Sequence, residues 1–549
     1  MRRWSFPILD GAASIFSPTF IRSKNLLPFR DAVQPAKAAT AADASSHPLG
    51  ESSGLRDISK WSPATWVSIA LVFCFIAVRL WRLTAIALDG DEIFSLLLAR
   101  QGWHDLMVGA MYDATHPPLV YVLVKIWRGM GGESLFWLRF FPFTACTLCL
   151  FPFFSLCRTL NIRPLARNLA LGIACIHPYA IFYAQHLRMY CLLMLGGLLS
   201  ASSFARYLEQ PSRRRLVILT TVNLVLVYVH YFGWLIVGLE FLFLIWRRQP
   251  WRGFTVSMVL TGALFSPWGI VAGKLLYGGA LHEKLGWISR PTVADFFWFY
   301  VDLTGCIVLP RFRLPMALVI LAVLVALLWV YRRRQGQGIQ WLAVLAVAPP
   351  LITVAASPWL PLWGERHLVF TVWPFLIILA DSLCRLPKAA VAGALLLVAC
   401  WVPFALRYDR DDNPKLPWDT LIVSLMDHEN SSQPHIPLYS LDRDTHFSLW
   451  FYAESLKTGQ VGPLRAHMGA RTDFPELAAK AARFEISKAT RMDEIKGEYF
   501  WVAYSDPFWK EGLTLQEVLT GRHCQRGDSV SARDEFHSVT LVQVQCAQP

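Results

Sequence analysis

The chain has 549 residues, of which 54% are hydrophobic, 13% aromatic and only 17% charged, against about 25% charged in an ordinary soluble protein. Its apolar residues gather between residues 63 and 406 in runs of roughly 18 to 22, each long enough to cross about 30 Å of hydrocarbon. That excludes a cytosolic enzyme, and continuous runs in place of alternation exclude an outer-membrane barrel.

The net charge is +13, from 52 Lys and Arg against 39 Asp and Glu. In a soluble chain this would suggest nucleic acid. Here the basic residues cluster between apolar runs, as in loops retained on the cytoplasmic side, and no nucleic-acid partner is expected.

Residues 1–60 are rich in Ala, Ser and Pro and contain no helix-length periodic face, which reads as a disordered cytoplasmic tail. No apolar stretch follows Arg2 and Arg3 in the manner of a signal peptide. Residues 61–406 read as a transmembrane domain. Apolar runs fall near 63–83, 134–157, 167–185, 189–206, 216–232, 233–247, 254–275, 314–331, 341–357, 368–385 and 389–406, eleven expected crossings in an all-α polytopic membrane protein. Under this count the clusters Arg158/Arg163/Arg167, Arg206/Arg213/Arg214/Arg215, Arg247/Arg248/Arg252, Arg332/Arg333/Arg334 and Arg385/Lys388 share one face. That predicts a cytoplasmic amino terminus.

An odd number of crossings puts residues 407–549 on the opposite face, periplasmic or luminal. Runs such as IPLYSL, YFWVAY and VTLVQVQ beside helix-like DFPELAAKAARFEI and LTLQEVL predict a small α/β domain. Most of the eleven cysteines sit inside apolar segments, where Cys acts as a small hydrophobe. Cys306, Cys524 and Cys546 lie elsewhere, and Cys524 with Cys546 is the candidate disulfide. Asn430-Ser431-Ser432 matches a glycosylation sequon, a short pattern that matters only in a eukaryotic lumen.

The richest segment is the long loop between the first two spans. Asp89, Asp91 and Glu92 stand at the outer end of span one and are followed at once by apolar IFSLLLA, which would hold them at the interface. An isolated carboxylate there is as readily just solvated. Further on, Tyr112, Asp113, His116, Pro117 and Pro118 precede a second amphipathic stretch, LVYVLVKIW, and the prolines suit a helix start. Two interfacial helices separated by a polar turn would frame a pocket. His116 alone also fits a simple helix-entry residue.

Three more groups run against the charge bias: Gln185, His186, Arg188 and Tyr190 in FYAQHLRMY; Glu365, Arg366 and His367 in WGERHLVF; and Arg139 inside span two. An arginine at a membrane boundary is a functional-site candidate by default, although each of the three would serve equally well in a structural ion pair. Together they suggest an anionic ligand, and phosphate fits the fixed fork of an arginine.

The order Asp-Glu after span one, His-Pro-Pro-Leu, Leu-Arg in span two, Arg-Met-Tyr and then an arginine in a late span resembles the GT-C membrane glycosyltransferases. The closest group is that of the protein O-mannosyltransferases and lipid A aminoarabinose transferases. The resemblance covers residues 63–406, and the ends of the chain carry no match. It implies inverting transfer of a sugar from a polyprenyl-phosphate carrier to a lipid, glycan or protein acceptor at the outer face, with Asp91 as general base and Glu92 positioning it or the sugar. It further implies that Arg139, Arg188 and Arg366, with His116, His186, Tyr190 and His367, bind substrate and carrier phosphate.

Glycosyl transfer of this kind needs one ionised carboxylate near the nucleophile and donors aimed at the leaving group. Arginines suffice for a phosphate, so no obligatory metal is expected, although Asp91, Glu92 and His116 leave room for a divalent ion. The alternatives are a transporter or flippase for a lipid-linked or anionic solute, a polysaccharide polymerase or ligase, and a membrane scaffold. A duplicated transporter would show mirrored halves, which are not visible here, although Pro178, Pro267, Pro349 and Pro350 interrupt several spans.

Overall fold

A computed structural model describes residues 62–277, 290–304, 336–360, 362–385, 416–429, 433–460, 473–506, 513–533 and 538–546, with a few isolated positions between them. The expected tail at 1–60, the spans at 314–331 and 389–406, Cys306 and the Asn430 sequon lie outside the described residues.

The first apolar run forms α1 (Pro63–Leu80), capped by Ser62, whose side chain accepts from Thr65 N, with proline in its first turn. Both features satisfy or remove amide donors that a helix start leaves open. The loop after it folds into α2 (Gly90–Arg100), α3 (Trp103–Asp113) and α4 (Leu119–Gly131). Two interfacial helices were expected here with only a turn between; α3 occupies much of that turn.

Span two is a helix pair, α5 (Leu135–Leu148) and α6 (Leu150–Thr159). Span three is broken: α7 (Pro164–Ile176) and α8 (Pro178–Ala184) meet at 64°. The break falls at His177-Pro178, where proline disfavours a helical predecessor. Then come α9 (Tyr190–Glu209), α10 (Arg213–Val229), α11 (Phe232–Trp246) and α12 (Trp251–Tyr277), with further helices at Val293–Leu303, Gln337–Ala356 and Val372–Leu383. A 3-10 segment, Glu365–Thr371, leads directly into the last of these. Among the described residues six helices are long and apolar enough to cross a membrane, or seven if the bent pair counts as one span. The runs expected at 216–232 and 233–247 form α10 and α11, of 17 and 15 residues.

Inside this bundle Asn223 Nδ2 and Ser200 Oγ each donate to the Glu240 carboxylate over 2.6 Å, tying α9, α10 and α11 together through a polar knot in an apolar setting. The turn between α10 and α11 is tight, and a side chain at Gly233 would meet the Leu226 backbone at 2.9 Å.

The carboxy-terminal part is a five-stranded sheet in the order β2-β1-β3-β5-β4, formed by β1 (Ile436–Ser440), β2 (Phe484–Lys488), β3 (Tyr499–Asp506), β4 (Cys524–Arg533) and β5 (Ser538–Cys546). Strands β1, β2 and β3 run parallel, while β5 is antiparallel to β3 and β4. The stretch DFPELAAKAARFEI, read as helical, stops at Arg483 and continues as β2. Cys524 and Cys546 face each other across β4 and β5 and form a disulfide.

This part packs closely on the loop helices. Tyr452, in the helix Arg443–Lys457, donates to the Leu88 carbonyl over 3.0 Å, and the Phe447 and Phe94 rings lie 6.5 Å apart. Arg465 grips Asp419 and reaches the Ala85 carbonyl at 3.5 Å. Leu135 N, at the start of α5, donates to Gly462 O over 2.7 Å.

Candidate active site

The site is organised by the first turn of α2. Asp89 caps the helix, its Oδ1 accepting from Glu92 N over 2.9 Å, while Glu92 Oε2 accepts from Asp89 N over 3.2 Å. This reciprocal box fixes Asp91 between them and places it on the helix end, where the backbone dipole favours negative charge.

Glu92 is fully buried. Its Oε1 lies 2.9 Å from Arg139 Nη1 and accepts from Leu187 N over 2.7 Å, and its Oε2 accepts from Arg139 Nη2 over 3.1 Å. Arg139 also donates to the carbonyls of Gln185, Ile86 and Ala87. Sequence reasoning grouped Arg139 with the phosphate-binding arginines, but its guanidinium is spent on this clamp and does not join the group around Asp91. The clamp ties α2, α5 and the Gln185–Met189 segment into one unit.

Asp91 is different. Its side chain keeps 43% of its exposure and is approached loosely by two guanidinium groups, with Arg188 Nη2 at 3.8 Å from Oδ1 and Arg366 Nη1 at 3.4 Å from Oδ2. Burial alone would raise its pKa, but the charges of Arg188 and Arg366 outweigh that and hold the carboxyl below its ordinary 3.8. Both arginines are positioned from elsewhere. Arg188 donates through Nη1 to the Asp91 carbonyl over 3.2 Å and to Ser95 Oγ over 3.0 Å, and Arg366 lies 6.0 Å above the Tyr190 ring.

His186 Nε2 stands 3.2 Å from Asp89 Oδ2, with its ring 5.7 Å from that of Tyr190. His116, after α3, is within 3.0 Å of Thr115 Oγ1, which donates to Asp113 over 2.5 Å. Burial and the nearby Arg188 charge push the His116 pKa well below 6.5, so the ring is neutral at neutral pH. His116 and His367 both sit beside a third ring, His230 at the turn between α10 and α11: the centroids are 5.4 Å from His116 to His230 and 5.2 Å from His230 to His367.

Asp91, Arg188, Arg366, His186 and Tyr190 thus converge from α2, the Gln185–Met189 segment, α9 and the 3-10 segment. The expected oxygen and nitrogen set of Asp91, Glu92 and His116 is not assembled, because Glu92 turns to Arg139 and His116 to the histidines. Sequence reasoning missed Ser95 and His230. The signal for His230 was a lone imidazole at the junction of two apolar runs, in VYVHYFGW.

No protein-family model matches the sequence, and no curated protein is similar to it. Its fold does have solved counterparts. The ArnT structure from Cupriavidus metallidurans bound to undecaprenyl phosphate matches with a TM-score of 0.53 at 13% identity, over 87% of this chain and 98% of that one. The apo form matches over the same shares with a TM-score of 0.51 at 13% identity. An Archaeoglobus fulgidus oligosaccharyltransferase, solved with Zn and sulfate, gives 0.44 at 11% identity over 79% of this chain and 67% of that one. A helical bundle with several apolar spans, an acidic loop helix after the first of them and a small carboxy-terminal sheet make this chain a polytopic membrane protein with the GT-C fold.

Proposed function

We propose that the chain is an inverting membrane glycosyltransferase, moving a hexosyl or pentosyl unit from a polyprenyl-phosphate carrier to a lipid, glycan or protein acceptor. The observation that carries this is the partly exposed Asp91 carboxylate held between Arg188 and Arg366. That ArnT, of the same fold, was solved with undecaprenyl phosphate supports the choice of carrier.

In this reading the acceptor hydroxyl oxygen attacks the anomeric carbon as Asp91 takes its proton. The C–O bond to phosphate breaks, and its electron pair leaves with the polyprenyl phosphate. Arg188 and Arg366 meet the charge that develops there, which is where fixed donors contribute most. Glu92 acts through position, holding the first turn of α2 against Arg139. His116, His186, Tyr190 and His367 help to bind substrate and carrier phosphate. The membrane would be a bacterial inner membrane, with residues 1–60 cytoplasmic and 407–549 periplasmic; residues 61–406 would form the transferase body.

The test is mass spectrometry of polyprenyl-phosphate sugars and surface glycolipids from cells carrying the wild-type chain or Asp91→Asn. Loss of one glycan with accumulation of one sugar-charged carrier is expected. Unchanged pools with a shifted solute distribution across the membrane would overturn the reading in favour of a transporter.

A further inference from the structure

The cluster of His116, His230 and His367 takes no proton and meets no leaving-group charge in the chemistry assigned to Asp91. One nitrogen from each ring lies within 4.8 Å of the other two. His230 and His367 are 3% and 9% exposed, and His230 Nε2 and His367 Nδ1 have no hydrogen-bond partner among the described residues. Buried polar nitrogens left without partners are rare in folded proteins and ask for a ligand.

We propose that His116, His230 and His367 form a binding site for one borderline-soft divalent metal ion, with Zn²⁺ the first choice. Three imidazoles are a ligand set that suits zinc and leaves a fourth position for water or substrate. Ligands at about 2.0–2.1 Å in a tetrahedral site lie about 3.3 Å apart, so each ring closes on the ion by less than about 1 Å.

The outer shell is in place for His116. Thr115 gives its proton to Asp113, so its oxygen is left to accept from His116 Nδ1 and frees Nε2 as the ligand. Partners of this kind fix the tautomer of a metal-bound histidine. His367 Nδ1 has no hydrogen-bond partner among the described residues and is open to the cluster. His230 accepts from Phe232 N at Nδ1 over 3.2 Å, near the long end for such a bond. It ligates through Nε2 by exchanging that contact for the metal. Gly364 leaves the room: a side-chain carbon there would stand 2.8 Å from His367 Nδ1. The positive charge of Arg188 and Arg366 opposes a cation, while Asp91 and Asp113 offset it.

The rival set is Asp89, Glu92 and His186, but the Glu92 oxygens are already committed to Arg139, Leu187 N and Asp89 N. The proposal does not rest on the transfer reaction, and its test reads metal, not activity.

The full chain, purified in detergent and stripped by chelator, is equilibrated with Zn²⁺, freed of excess by gel filtration and its metal counted. One zinc per chain is expected, and Co²⁺ in its place should give visible d–d bands without the near-ultraviolet charge transfer of thiolate ligands. His230→Gln and His367→Gln should weaken binding by more than about a hundredfold, beyond the usual effect of losing an outer-shell partner. His186→Gln should retain the metal. Gly364→Ala keeps all three imidazoles but crowds His367, and should weaken binding by roughly tenfold, which decides the matter if a histidine variant fails to fold. A wild-type chain that retains no zinc, a thiolate spectrum, or zinc that survives both histidine substitutions would overturn the proposal, as would loss confined to His186→Gln.

Discussion

Asp91 and Arg366 are 275 positions apart in the chain and 3.4 Å apart in space. The contact joins the first loop helix to the start of a late span, and it is long enough to leave the carboxylate oxygen free for a second partner. Replacing Arg366 with alanine should lower the transfer rate about a hundredfold, the usual effect of removing one donor to a developing negative charge. Asp91→Asn should lower it by more than about a hundredfold, as expected for loss of a general base. Initial rates with a purified chain and a polyprenyl-phosphate sugar check both, and wild-type rates for Asp91→Asn would remove the proposed mechanism.

The pH dependence follows from the same pair. Arg188 and Arg366 keep the Asp91 carboxyl below 3.8, so it is ionised throughout the neutral and mildly acidic range and activity is lost only as pH falls through that lowered value. Rates limited by Asp91 should therefore stay flat from about pH 7 to about pH 5, where an unperturbed carboxyl is already ionised as well. In Arg366→Ala one lowering charge is gone, and the acid limb should move upward. A wild-type limb near pH 6 would point to a histidine in place of Asp91.

Glu92 and Arg139 predict a different phenotype. Both are buried and bonded twice to each other, so Glu92→Gln leaves a buried guanidinium without its counter-charge. Breaking one side of such a pair destabilises by about 3 to 5 kcal/mol. Thermal unfolding in detergent should fall sharply, and Glu92→Gln with Arg139→Met should recover part of the loss. A Glu92→Gln chain that unfolds like wild type but cannot transfer sugar would instead make Glu92 a direct participant.

The disulfide closes a 22-residue separation between β4 and β5, worth about 3 kcal/mol in the loop-entropy account. Cys524→Ser with Cys546→Ser should leave the helical bundle folded and make the carboxy-terminal sheet more sensitive to protease. Equal protease resistance with and without the bond would show that sheet pairing alone secures β4.

Much of this was legible in the sequence. Apolar runs located the described spans, and residues that are awkward in a membrane because hydrocarbon penalises unpaired charge, Asp91, Arg188 and Arg366 among them, pointed to the group that the fold brings together as a candidate site. What a one-dimensional reading lacks is pairing. Arg139 and Arg188 look alike as arginines near a boundary, and only the fold decides that the first faces Glu92 and the second Asp91. His230 was hidden for the same reason, since its partners His116 and His367 come from distant segments. Strand β4, CQRGDSVSAR, has no apolar alternation to signal it; its mostly exposed edge position removes the need.

The bond from Tyr452 to the Leu88 carbonyl spans 364 positions. At synthesis rates of roughly 5 to 20 residues per second, that is roughly 20 to 70 seconds between the two residues leaving the ribosome. Throughout that interval α2 has its charged first turn but lacks the helix that will cover its Leu88 end. The Leu88 end of α2 is thus covered only after the described spans have been made. A chain stalled before residue 452 would carry Asp91, Arg188 and Arg366 and still leave the Leu88 carbonyl without its Tyr452 partner.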